Sequence, residues 1–301
     1  MKTAKFLLMT MLVSLLAACG TTRTVPITGR KQNLLISDAE IMSMSLKEYN
    51  SYMAKTKKSA NATNTAMVQR VGRRLANAVE SYLRSHGLSN EVGQYSWEFN
   101  LVQDKSANAF CLPGGKIVVY EGLLPYTQSE AALAVVLGHE IAHAVAKHSA
   151  EQISKQYRQQ YATQIGSSIL GAAVGSEIGN IAGVLAQTGF KFRNLKYSRD
   201  HETEADHIGL IFAAMAGYDP RVAVPFWQRM AAGNSASQSD VFSDHPSDAK
   251  RIAALQRDMP EALKYYQASN KVATTTQSAA TAKKKTAKKK TTARKTSARR
   301  K

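Results

Sequence analysis

Apolar residues recur along this chain with two different periods, and the changes of period mark out its elements. Met67, Val71, Leu75, Val79 and Leu83 repeat every four residues, a stripe along one face of a helix over 65–86, with Gly87 as its stop. A second amphipathic helix is expected over 37–55, capped by Ser37 or Asp38. Trp97 to Leu101 alternates and reads as a strand. Lys116 to Tyr120 reads as another, reached through the Pro113-Gly114-Gly115 turn. Ala131 to Leu137 is a run of good helix formers behind Ser129 and Glu130, so a helix runs on through residue 143. Ile208, Ile211, Phe212 and Met215 follow Ser198 at helical spacing, and Asp219-Pro220 opens the next helix. Residues 246–257 and about 260–268 complete a helical C-terminal half. Gly171, Gly175, Gly179 and Gly183 recur every four residues amid Ile, Leu, Ala and Val, a spacing that lets helices approach closely. Ser176, Glu177 and Asn180 interrupt that stretch, which favours a buried or re-entrant helical hairpin over a membrane-contacting segment.

The two ends differ from this middle. Lys2 and Lys5 precede an apolar run, Phe6 to Leu16, too short for a stable span. Leu16-Ala17-Ala18-Cys19 then reads as a bacterial lipobox, so residues 1–18 are expected to be a signal and Cys19 to be acylated and held in a lipid bilayer. Gly20 follows where an Asp would retain a lipoprotein at the inner membrane. Resemblance to lipoproteins therefore implies the outer membrane of a Gram-negative bacterium, with the chain facing the periplasm. Residues 19–34 read as a tether, 35–268 as one domain with a real core, and 269–301 as a disordered tail. If Cys19 carries lipid, Cys111 has no partner within the chain and is expected to be buried. Of the formal charge of +18, twelve units lie in residues 271–301 and two at Lys2 and Lys5, which leaves +4 for residues 19–270. The basicity thus belongs to the tail. A lipoprotein signal argues against nucleic acid as its partner and for lipopolysaccharide or other envelope polyanions.

The chemistry is concentrated in His139-Glu140-Ile141-Ala142-His143. Residues four apart on a helix lie about 40° apart, one turn above each other, so both imidazoles can reach one metal ion. Glu140 sits about 100° round from His139, placed to face a water on that metal without being forced onto it. This H-E-x-x-H arrangement is that of zinc peptidases, with the glutamate as general base. Gly138, just before it, leaves room for another backbone or a substrate. A catalytic zinc needs a third protein ligand and an open fourth position. Ser198-Arg199-Asp200-His201-Glu202-Thr203-Glu204-Ala205-Asp206 opens a helix on which Glu202 and Asp206 share a face, while Glu204 is about 200° round from Glu202 and points away. One of that pair can bind zinc, and the other can accept from a ligand histidine's second N–H.

With these segments the chain resembles the HtpX and CAAX-prenyl-protease type of zinc metallopeptidase, peptidase family M48. Asn108-Ala109-Phe110-Cys111-Leu112-Pro113-Gly114-Gly115 is similar to that family's segment before the zinc helix. Asp244-His245-Pro246 with Arg251-Ile252 is similar to its late segment. The resemblance covers roughly residues 35–262. It implies an α+β, mainly helical zincin of the gluzincin type, with a small antiparallel sheet beside the H-E-x-x-H helix. It also implies one Zn2+ per chain on His139, His143 and Glu202, Glu140 as base, and Asp206 behind a histidine. His245 or Arg251 is expected to meet the oxyanion of the tetrahedral intermediate. The 116–120 strand, through Gly115, Lys116, Ile117 and Val118, is expected to offer its edge to an extended substrate. The expected partners are unfolded or misassembled polypeptides, cleaved in quality control of envelope proteins. The alternative is a periplasmic chaperone or assembly factor whose zinc is structural.

Overall fold

The computed structural model describes residues 20–167, 181–236 and 249–271. Strands β1 (Thr21–Thr24) and β2 (Lys31–Leu34) pair antiparallel as a hairpin. Residues 21–32 are therefore not the loose tether that their polarity suggests. Along β2, Gln32 and Leu34 point inward, the period-two pattern of a strand with a core to meet. Val25 lies in that core, the Gln32 amide donates to Ala146 O at 3.0 Å, and Arg30 reaches Glu151 and Glu204.

Helix α1 (Asp38–Lys55) begins at Ser37, which makes a reciprocal capping box with Glu40. Helix α2 (Ala62–Ser85) begins three residues before the expected start at 65, because Asn61 caps Asn64 N. Val71, Leu75, Val79 and Leu83 on that stripe are all fully buried.

Strands β3 (Glu98–Val102), β4 (Ala109–Leu112) and β5 (Lys116–Tyr120) form one sheet in the order β3–β5–β4. The β4–β5 pair is antiparallel, and β3 joins β5 in parallel. This overturns the expectation that residues 115–118 offer an edge to substrate, because β5 is paired along both sides. Gly115 packs under Trp97, where an added Cβ would lie 2.5 Å from the indole. The Lys116 ammonium is 2.5 Å from Glu98 and 2.7 Å from Ser96 O, and Ile117 and Val118 are fully buried. An apolar run buried on both faces is the mark of a central strand. The edges fall to β3 and β4 instead, and β4 is the one that contacts α3 through Glu140.

Helices α3 (Glu130–Val145), α4 (His148–Ser167), α5 (Ile181–Gln187), α6 (Arg199–Met215) and α7 (Ala223–Ala236) follow, with a last helix, α8, over 249–271. Ser129 caps α3 and Ser198 caps α6. Every residue of α3 from Ala132 to His143 is buried, because β4 covers one side and α6 another. Gly138 and Gly209 let α3 and α6 touch backbone to backbone: a Cβ on Gly138 would come within 2.6 Å of Gly209 O. The space expected at Gly138 is thus filled by another helix. Of the four spaced glycines only Gly183 is among the described residues, and no described helix is long and apolar enough to cross a membrane. Residues 1–19 and 272–301, with the signal, Cys19 and nearly all of the basic tail, lie outside the described residues.

Candidate active site

The crossing of α3 and α6 brings three side chains to one point. His139 Nε2 lies 3.4 Å from Glu202 Oε2, His143 Nε2 lies 3.4 Å from Glu202 Oε1, and the two Nε2 atoms are 3.1 Å apart. Ligands bound tetrahedrally at about 2.0–2.1 Å sit about 3.3 Å from one another, so this triangle has the spacing of a zinc site. Among the described residues these three form the one cluster of histidine, cysteine and acid side chains suited to a metal. The site fits zinc by donor type as well, with two imidazoles and one carboxylate.

Each histidine is held from behind. His139 Nδ1 is 2.9 Å from Asp206 Oδ1, as expected of the residue one turn after Glu202. Asp206 is buried, which alone would raise its pKa, but Arg251 and His139 outweigh that and lower it. A carboxylate there accepts from Nδ1–H and leaves the Nε2 lone pair for the metal. Arg251 meets Asp206 at two points, each 2.6 Å, and stacks over Trp227 at 3.5 Å. Its guanidinium holds Asp206 and also reaches the ligand triangle, with Nη1 3.8 Å from Glu202 Oε2. His245 lies outside the described residues.

The support of His143 comes from a residue that helical spacing does not single out. His143 Nδ1 lies 3.0 Å from His148 Nδ1, and His148 Nε2 lies 3.0 Å from Glu204 Oε2. Burial lowers the His148 pKa to about 4, despite Glu204, so its ring is neutral. With Nε2–H donated to Glu204, His148 Nδ1 must accept, and His143 must be the tautomer with Nδ1–H. The chain from Glu204 through His148 to His143 thus frees the second metal-facing Nε2. Arg30 of the hairpin donates to Glu204 at 2.7 Å and to Glu151 at 2.7 Å, tying this support to β2. Glu204 does point away from the metal, as its place on the helix requires, and reaches it through His148.

Glu140 is buried beside the edge strand. Its Oε2 accepts from the Cys111 backbone N–H at 3.2 Å. Asn108 O accepts from Tyr120 N, so Phe110 and Leu112 face β5, while Ala109 and Cys111 turn their backbone groups toward α3. A cleft of about 180 Å³ runs along β4, bounded by Glu140, Tyr120, Tyr197 and residues 192–195. Tyr197 stacks on His143 at 4.1 Å and bonds Ser149 at 2.8 Å. Cys111 is buried, as expected; burial and then the Glu140 charge push its thiol pKa up, so it stays protonated.

A profile described as Peptidase family M48 matches residues 39–259. The chain is 40% identical over 185 residues to the mitochondrial metalloendopeptidase OMA1 of Arabidopsis thaliana, covering 61% of this chain and 36% of that one. It is 32% identical over 251 residues to the mitochondrial metalloendopeptidase OMA1 of Homo sapiens, covering 81% and 47%. It is 26% identical over 183 residues to the beta-barrel assembly-enhancing protease of Escherichia coli, covering 59% and 37%. The chain thus spans less than half the length of these relatives. Relatives named as mitochondrial, from plants, fungi and animals, overturn the expected placement at the outer membrane of a Gram-negative bacterium, facing the periplasm. The expected HtpX and CAAX-protease kinship holds only at the level of the family. With the ligand triangle, the buried glutamate and the matched span together, the chain belongs to peptidase family M48.

Proposed function

We propose that this chain is a zinc metalloendopeptidase that cleaves unfolded or misassembled polypeptides. The observation that carries the reading is the ligand triangle with Glu140 beside it, held against an edge strand. His139, His143 and Glu202 would hold the zinc, which would supply Lewis-acid chemistry, polarising a carbonyl and lowering the pKa of a water toward about 7. Three protein ligands leave a position open, which favours a catalytic over a structural site. An extended substrate laid along β4 meets the outward carbonyls of Ala109 and Cys111, whose N–H groups are engaged by Asn108 Oδ1 and by Glu140. Glu140 takes the proton of the attacking water on a carboxylate oxygen and delivers it to the leaving amine. Its hydrogen bond from Cys111 N–H fixes that carboxylate relative to the strand which positions the scissile bond. Recognition through backbone groups requires an extended chain, and this suits a quality-control role among unfolded proteins.

Incubation of purified protein with an unfolded polypeptide, with and without chelator, tests the reading. Internal cleavage abolished by chelator and restored by zinc is expected. Intact polypeptide, or cleavage indifferent to chelator, would overturn it. Acylation of Cys19 as an anchor in a lipid bilayer is a separate part of the proposal, checked by the mass of the mature N-terminus.

A further inference from the structure

A second groove, about 410 Å³, lies between α1 and residues 186–193, and Phe192 and Arg193 line both it and the active-site cleft. Tyr52 joins the two from below. Its ring meets Phe110 of β4 at 5.3 Å, and its hydroxyl bonds that of Tyr120 at 3.2 Å. A chain lying along β4 and continuing past Phe110 therefore enters this groove. Its floor is aromatic, with Tyr52, Phe190 and Phe192, and its rim carries exposed Lys47, Lys55 and Lys191. Glu48 is the sole acid among the described residues that line it, and its carboxylate is already engaged by Phe192 N at 2.7 Å and by Arg193. Arg193 lies over the Tyr52 ring at 5.0 Å, so it presents its charge at the junction with the cleft.

We infer that this groove is a substrate exosite that selects polypeptides carrying acidic side chains, interspersed with apolar ones, on one side of the scissile bond. The inference rests on the peptidase reading and deepens it. The charge of the rim excludes the chain's own tail, which holds twelve Lys and Arg and no acids over 271–301. Exposed ion pairs are individually weak, about two- to fivefold each, and screened by salt. The effect expected is therefore on binding rather than on turnover.

The test uses quenched peptides of roughly a dozen residues with Asp, Asn or Lys placed to one side or the other of the cleaved bond. Cleavage is read as KM against kcat, and binding is read separately by anisotropy on Glu140→Gln. Asp on one side should lower KM and Kd by about fivefold relative to Asn with kcat unchanged, and about 0.5 M salt should erase the gain. Lys47→Glu with Lys191→Glu should reverse the preference, while a short peptide that stops at the cleft is cleaved at the wild-type rate. Equal Kd for Asp and Asn, or a preference that survives the double variant, would overturn the exosite. Loss of binding to anionic vesicles in that variant, with peptide binding unchanged, would assign the groove to a lipid surface instead. Tight binding of the Asp peptide without cleavage by the zinc-loaded wild type would sink the peptidase reading and leave the groove standing.

Discussion

At the scale of single residues, the site depends on which nitrogen of each histidine carries its proton. Asp206 settles this for His139 and the His148–Glu204 pair settles it for His143. Removing such a partner usually costs about 10–100-fold in metal affinity. Asp206→Ala and His148→Ala are both expected to lose zinc affinity by about that factor, measured by competition with a chromogenic chelator. An affinity within twofold of wild type for His148→Ala would show that its contact with His143 is incidental. Helical spacing revealed Asp206 because it lies one turn from Glu202 on an unbroken helix. It hid His148, which on a continuous helix would sit about 140° from His143. The chain instead breaks after Val145, with Lys147 at φ 55°, and that reversal returns His148 to the face of His143.

At the scale of elements, the crossing of α3 and α6 sets the distance between the two histidines and Glu202. Gly138→Ala would gain about 1 kcal/mol of helix propensity in an exposed helix. Here the new methyl meets the Gly209 carbonyl, a backbone group that cannot swing aside. A net destabilisation of about 1–3 kcal/mol is expected in urea titrations, together with weakened zinc binding. A variant more stable than wild type would show that the helices separate freely. The helices themselves were legible from their apolar periods and serine caps. The order of the strands was not, since pairing is decided by contacts far apart in sequence. The uninterrupted apolar run Ile117-Val118-Val119 was the one local sign that β5 is central, and β4 is only four residues long.

At the scale of the molecule, the N-terminal hairpin is tied to the centre through Arg30. Burial alone would raise the Glu151 pKa, but His201 at 3.1 Å and Arg30 at 2.7 Å outweigh it and hold the carboxyl well below its ordinary range. A carboxylate held down in this way contributes stability above its unfolded pKa of about 4.3, and that contribution is lost as pH falls. Arg30→Gln should therefore lower Tm most near neutrality, and the gap from wild type should narrow below about pH 4. A gap that is constant from pH 3 to about pH 7 would mean that Arg30 acts by packing alone. No reading of residues 19–34 as a tether anticipates this tie, because it joins positions more than a hundred residues apart.

In the proposed mechanism Glu140 moves protons and binds no metal. Zinc content and cleavage of an unfolded polypeptide, measured together on Glu140→Gln, test it most directly. One zinc per chain, an unchanged melting curve and a loss of at least about 100-fold in turnover are the predicted result. Turnover at the wild-type rate, or loss of the zinc itself, would contradict the account.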